Sequence, residues 1–361
     1  MTGSSRPVKS MRAGAAGVRL ATMTQISADG SGCDGSPDHD DPAIATPERI
    51  TLDLGHVMLH ALAWGPAAGP VVVCLHGFPD SAWTWRHLGP ELAAAGHRVI
   101  APFTRGYAPS EIPSDNDFHV AALAYDAVAV HRAAGAGADA VLIGHDWGAM
   151  TANAVAHRAD NPFAAVVSMS VPPVPAVRRS LAGGIDGAKT LARQALMSWY
   201  IAFNQVPWLP ERVLHRLIPL LWRRWRLNSG AGARPDHRLD VDLALAALPT
   251  RAHRTAALGY YRALRRPRTH PRYAAMRDDW LGEPRCPTLY LHGADDGCMQ
   301  SRLTDHVREV LPAGSAAAVV AGAGHFLHLD RPDEVHGRIL AFVSSDARGQ
   351  EGGTGPARFV D

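Results

Sequence analysis

The strongest chemical signal in the chain is a carboxylate set among glycines, Gly144-His145-Asp146-Trp147-Gly148-Ala149, directly after the apolar run Val141 to Ile143. Behind it Ala152, Val155, Ala156 and Ala159 recur at helical spacing, so the stretch predicts strand, sharp turn and helix. Residues with little or no side chain flank the turn, as needed where strand and helix crowd together and the central residue takes a strained, exposed conformation. That is the geometry of a nucleophile elbow, with aspartate where serine hydrolases carry serine. A carboxylate held there can attack carbon directly and form an ester with the protein.

Such a nucleophile needs an oxyanion cradle, a base and an acid to orient the base, and three further loops offer them. After the run Val71 to Leu75 comes His76-Gly77-Phe78-Pro79, whose Phe78 N–H can face a developing oxyanion with Trp147 N–H as second donor. After Thr288 to Leu291 comes His292-Gly293-Ala294-Asp295-Asp296-Gly297, with two candidate acids, Asp295 and Asp296. After Ala317 to Val320 comes Ala321-Gly322-Ala323-Gly324-His325-Phe326. The chain order is therefore nucleophile, acid, histidine. An isolated Asp at a turn is most often a cap, but Asp146 and His325 both stand at predicted strand ends in that order, and we read them as catalytic. His76, His145, His292 and His328 are read as structural or pocket-lining.

The elements that must position these loops follow from periodicity. Ile50 to Leu54 and Val57 to Ala63 predict a hairpin. Apolar strands Val71 to Leu75, Arg98 to Ala101, Val141 to Ile143 and Ala165 to Met169 then alternate with helices, one marked by Trp85, Leu88, Leu92 and Ala95 and another by Val120, Leu123, Ala127 and Val128. This predicts an α/β fold with a mostly parallel, doubly wound sheet, whose ligands bind beyond the carboxyl ends of the strands. The rhythm breaks at Val171-Pro172-Pro173-Val174-Pro175. Helical, aromatic segments at 192–203, 211–227, 239–248 and 254–264 predict an inserted helical cap over 171–280, between core halves 46–170 and 281–344. Residues 1–45 read as a disordered leader rather than a targeting peptide, and 345–361 as a flexible tail. Leu221-Trp222-Arg223-Arg224-Trp225-Arg226 reads as a solvated helix face rather than a membrane contact.

Length and charge set outer bounds. The 361 residues with formal net charge +2 allow one large domain with an insertion and give no reason to expect nucleic acid. No apolar run reaches the roughly 18 residues of a membrane span. The four cysteines, Cys33, Cys74, Cys286 and Cys298, lack metal-ligand spacing, so free thiols in a reducing, cytoplasmic setting are expected.

Taken together, His-Gly-Phe-Pro at 76–79, Gly-His-Asp-Trp-Gly-Ala at 144–149, Gly-Ala-Asp-Asp at 293–296 and Gly-Ala-Gly-His-Phe-Leu-His-Leu-Asp at 322–330 resemble the α/β-hydrolase-fold epoxide hydrolases. The resemblance spans nearly the whole of 46–343. Two cap segments look like those that supply ring-opening tyrosines in that family, residues 199–207 (Trp199 to Pro207) and 259–262 (Gly259 to Arg262). By this match Tyr200 and Tyr261 take those roles, with Tyr261 favoured over adjacent Tyr260. Asp296, three residues after Gly293, is favoured over Asp295. The resemblance implies hydrolysis of an epoxide to a vicinal diol through an Asp146 ester, with no metal or organic cofactor. The chain departs from the commoner pattern at 101–108, where Phe103 follows the proline in place of an acidic residue.

Other chemistries weigh less. A haloalkane dehalogenase would use the same Asp-His-Asp logic and could use the Trp147 indole, but Phe78 has no side-chain N–H for a halide. A serine esterase is excluded by Asp146, and a binding protein on this fold has no need of the catalytic set. Trp83, Trp199, Phe203, Trp208, Leu209, Met299, Phe326 and Leu327 are apolar pocket candidates, which suggests a small hydrophobic epoxide. Stable membrane insertion is not expected, and a homodimer is left open.

Overall fold

Short runs of Val, Ile, Leu and Ala build the centre of the molecule, as the computed structural model shows; it describes residues 46–226, 237–265 and 269–344. The strands are β1 (Glu48–Asp53), β2 (Met58–Trp64), β3 (Val71–Leu75), β4 (Arg98–Pro102), β5 (Val141–His145), β6 (Ala165–Met169), β7 (Thr288–Gly293) and β8 (Ala316–Val320). They form one eight-stranded sheet in the order β1-β2-β4-β3-β5-β6-β7-β8. β2 runs antiparallel to both β1 and β4, and every other pairing is parallel. Every residue of β3, β5, β6 and β7 is buried, as a sheet covered on both faces requires. At roughly 1.5 to 3 kcal/mol for each fully buried Val, Leu or Ile, these four strands make a substantial apolar contribution to stability.

The helices of the first half are α1 (Leu88–Ala94), α2 (Val120–Ala133) and α3 (Trp147–His157). Between β6 and β7 come α4 (Val174–Leu181), α5 (Gly184–Met197), α6 (Trp199–Asn204), α7 (Leu209–Trp225), α8 (His237–Ala246) and α9 (Arg251–Ala263), with no strand among the described residues there. After β7 follow α10 (Val307–Val310), α11 (Leu327–Asp330) and α12 (Pro332–Ser344). α2 packs with α3, α7 with both α8 and α9, and α1 with α12.

Several local readings change. The proline-rich stretch does not stay irregular: α4 starts at Val174 with Pro175 in its first turn, where a missing N–H costs nothing. The helix expected at 192–203 starts eight residues earlier and breaks at Ser198, giving α5 and α6. A short 3-10 turn, Ala82–Trp85, precedes α1. The solvated-face reading of 221–226 fails for four of its six residues. Arg223 and Arg224 are exposed, but Leu221, Trp222, Trp225 and Arg226 are buried. Arg226 Nε lies 2.9 Å from Asp330 Oδ1 and its Nη1 2.8 Å from Asp240 Oδ2, so two buried carboxylates draw the guanidinium inward. Cys74, Cys286 and Cys298 are free thiols. The expected leader, the expected tail and Cys33 lie outside the described residues.

Candidate active site

β5 ends at His145, and the next residue, Asp146, takes φ 53° and ψ −114° before α3 begins at Trp147. A non-glycine residue at positive φ stores strain and needs surroundings that over-determine it. Two glycines supply them. A Cβ on Gly148 would lie 2.1 Å from Leu75 O, and a Cβ on Gly77 would lie 2.2 Å from Asp146 Oδ1. Removing both side chains lets the ends of β3 and β5 close around the carboxylate.

The two Asp146 oxygens are treated differently. Oδ1 accepts from Phe78 N–H at 2.7 Å, while Oδ2 faces His325 Nε2 at 3.6 Å. Trp147 is the first residue of α3, so its N–H has no acceptor within the helix and is available as the candidate second donor. His325 is fully buried. Its Nδ1 lies 2.8 Å from Asp296 Oδ2, and its own N–H donates to Trp225 O at 2.7 Å. His145 Nε2 and Ser170 Oγ both donate to His325 O, at 2.9 and 2.6 Å. The other Asp296 oxygen accepts from Cys298 N and Met299 N at 2.6 and 2.8 Å. Asp295 is exposed and turned out of this set.

The charges follow from the geometry. Burial alone would lower the His325 pKa, but the carboxylates of Asp296 and Asp146 outweigh it and raise it to about 10. Burial works against the Asp296 carboxylate, yet the His325 charge and hydrogen bond keep its pKa below the ordinary value. His76 and His145 are pushed down to about 4 by burial and stay neutral. His76 Nε2 accepts from Thr104 N at 3.1 Å, His292 Nε2 bonds Met299 O at 3.0 Å, and His328 Nε2 pairs with Thr84 Oγ1 at 2.7 Å.

Two phenols close the site from the inserted helices. Tyr200 on α6 and Tyr261 on α9 meet edge to face at 5.6 Å, and Tyr261 also meets Phe78 at 5.2 Å and Trp147 at 5.1 Å. The Tyr200 hydroxyl lies 3.4 Å from Cys298 Sγ, whereas the buried Tyr261 hydroxyl has no hydrogen-bond partner among the described residues. Burial raises both phenol pKa values well above the ordinary one, so both remain protonated donors. Tyr260 points elsewhere, donating to Arg105 O at 2.8 Å and Thr104 Oγ1 at 3.1 Å. Adjacent residues on a helix do not share a face.

The apolar candidates divide. Phe326 and Leu327 are fully buried, Phe326 stacked on Trp222 at 3.7 Å, while Trp83, Trp199, Phe203 and Met299 are partly buried against the core. Trp208 is 53% exposed with the Arg212 guanidinium 5.0 Å over its ring, so it does not line an enclosed pocket. Two residues at the site carried no motif. Trp225 supplies the carbonyl that fixes the His325 backbone and packs its ring edge-on to Tyr200 and His325. Cys298, two residues after Asp296, brings a thiol beside Tyr200.

Comparison with known proteins bears on the fold and the family. A family model described as the alpha/beta hydrolase fold matches residues 70–332. Epoxide hydrolase A of Mycobacterium tuberculosis is 30% identical over 338 residues, covering 83% of this chain and 98% of that protein. Epoxide hydrolase 3 of Mus musculus is 26% identical, covering 79% of this chain and 73% of its own length. Among solved structures, epoxide hydrolase A from Mycobacterium thermoresistibile superposes with a TM-score of 0.62 at 27% identity, covering 82% of this chain and 98% of that one.

Proposed function

Because the chain belongs to the α/β-hydrolase fold family and, within it, to the epoxide hydrolases, we propose that it opens a small hydrophobic epoxide with Asp146 and releases a vicinal diol. The observation that carries the reading is the asymmetric carboxylate of Asp146, one oxygen on the Phe78 N–H and the other free to attack. Asp146 Oδ2 attacks the less hindered ring carbon from the side opposite the oxygen, and the C–O bond breaks. Strain drives the opening, but an alkoxide leaves poorly unless it is protonated as charge develops, and Tyr200 and Tyr261 supply that proton.

Oδ1 then becomes the carbonyl oxygen of the ester, held by the Phe78 N–H, with the Trp147 N–H as second donor in this proposal. His325, oriented by Asp296, takes a proton from water, whose oxygen adds to the Asp146 carbonyl carbon. The tetrahedral intermediate breaks its bond to the diol oxygen, which takes the proton held by His325, and the carboxyl proton left on Asp146 returns to the tyrosinate, restoring the carboxylate and both phenols. Esterification also removes one of the two negative charges that raise the His325 pKa, so the imidazole becomes a base when a base is required. The three free thiols support a reducing, cytoplasmic setting; a homodimer is the assembly to test by light scattering.

The test is one turnover with excess enzyme in oxygen-18 water. The first diol should carry only unlabelled oxygen, because its new oxygen comes from Asp146. A fully labelled first diol would mean direct attack by water and would remove Asp146 from the mechanism.

A further inference from the structure

Cys298 takes no part in the steps above, yet its sulfur belongs to a compact set of donor atoms. One carboxylate oxygen of Asp146, one ring nitrogen of His325 and Cys298 Sγ all lie within 4.8 Å of one another. The three residues are 6%, 0% and 2% exposed. His325 Nε2, 3.6 Å from Asp146 Oδ2, has no hydrogen-bond partner among the described residues.

We propose that this triangle is an inhibitory site for a borderline-soft divalent cation of the Zn²⁺ or Cd²⁺ class, bound in place of the epoxide. A thiolate, an imidazole and a carboxylate are donors that zinc-type ions take in tetrahedral sites, and three protein ligands leave a fourth position for water. A hard ion such as Mg²⁺ seeks octahedral oxygen and finds one carboxylate here. The surroundings are also prepared. Asp296 Oδ2, 2.8 Å from Nδ1, orients the ring with Nε2 toward the centre, the carboxylate–histidine–metal arrangement that raises ligand basicity. The Tyr200 hydroxyl, 3.4 Å from the sulfur, is positioned to donate to the thiolate. Ligation expels the protons of the thiol and of Nε2, so binding tightens as pH rises. The cation occupies the nucleophile and the base together.

Binding itself does not depend on the epoxide reading; only competition with substrate rests on it. The probe is Co²⁺ titrated into the full-length protein and followed by its thiolate-to-cobalt absorption band. The band should appear, saturate at one ion per chain, and vanish on adding Zn²⁺ but not Mg²⁺. Cys298→Ala and Cys298→Ser should each lack it. Asp296→Asn should weaken the ion by about 10- to 100-fold, and loss of the Cys298 ligand by at least about as much. With an epoxide substrate, Zn²⁺ should raise the apparent KM and leave kcat unchanged, and the Cys298 variants should need a correspondingly higher Zn²⁺ concentration. An absent band in the wild-type protein, or a band that persists in both Cys298 variants, overturns the site. A protein that binds cobalt this way but turns over no epoxide would sink the functional reading and leave the metal site standing.

Discussion

Tyr260 and Tyr261 are neighbours in sequence with opposite hydrogen-bonding states, and that contrast separates chemistry from stability. The Tyr261 hydroxyl has no hydrogen-bond partner among the described residues, so Tyr261→Phe strands nothing there, whereas Tyr260→Phe removes a donor from Arg105 O and Thr104 Oγ1. Tyr261→Phe and Tyr200→Phe should each slow ester formation by two to three orders of magnitude, about 3 to 4 kcal/mol, with little change in unfolding midpoint. Tyr260→Phe should cost about 1 kcal/mol of stability and leave ring opening near the wild-type rate. Stopped-flow ring opening of an aryl epoxide, with halide release from a chloroalkane in parallel, checks this. Wild-type ring-opening rates in both Tyr200→Phe and Tyr261→Phe would transfer the case to a dehalogenase. His325→Gln should stall at the ester and gain one substrate mass per chain, while Asp146→Ala gains none; the absence of an adduct in His325→Gln would deny His325 its role as base. The His325 charge gives a pH signature. Its folded pKa of about 10 lies above the ordinary 6.5, so its ion pairs stabilise the fold fully below about 6.5 and that contribution fades as pH rises through about 10. In the ester one partner charge is gone, and the rate of ester hydrolysis should rise with pH about a pKa well below that of free-enzyme His325. Equal values from quench kinetics and histidine NMR would contradict the assignment.

At the scale of elements, the end of α7 is tied to the loop that carries His325. Arg226 bridges Asp240 and Asp330, and Asp330 Oδ2 in turn accepts from Gly324 N at 2.8 Å, one residue before His325. Arg226→Met should destabilise the protein by about 3 to 5 kcal/mol, because it takes a cation away from buried Asp330, while Asp240 keeps Arg86 at 2.6 Å. A urea midpoint indistinguishable from wild type would show that the Asp330 carboxylate finds compensation elsewhere. This tie explains what the sequence could not reveal. Leu221 to Arg226 has the composition of a wet helix face, and only the distant Asp240 and Asp330 turn Arg226 inward. The same holds for Trp225, whose contribution to His325 is a backbone carbonyl, invisible to any reading of side-chain types. The break at Ser198 was hidden because helical periodicity continues across it.

For the molecule as a whole, the sheet was legible because its strands are buried on both faces and so read as unbroken apolar runs; β3 and β6 carry the same bounds in sequence and structure. Strand ends at the catalytic edge ran one or two residues longer than expected, as at β5 and β7, because Gly and His there extend the ladder without apolar character. The four loops were legible as an order of residue types. Their distances, and the company of Cys298, depended on packing between segments far apart in the chain.

The Trp225 carbonyl bond to His325 N, the Trp222 indole donating to Pro79 O at 2.7 Å and the Arg226 bridge have a consequence for traffic. A covering layer fastened to the catalytic loops at these points should not open there to admit substrate. The outer face of α5 is wetter, with Ile185 and Leu196 77% and 78% exposed, while Thr190 and Gln194 on its later turns hold the loop after Asp296. Amide hydrogens in the last turns of α7 should therefore exchange only with global unfolding, while those of the first turn of α5 exchange through cheap local excursions.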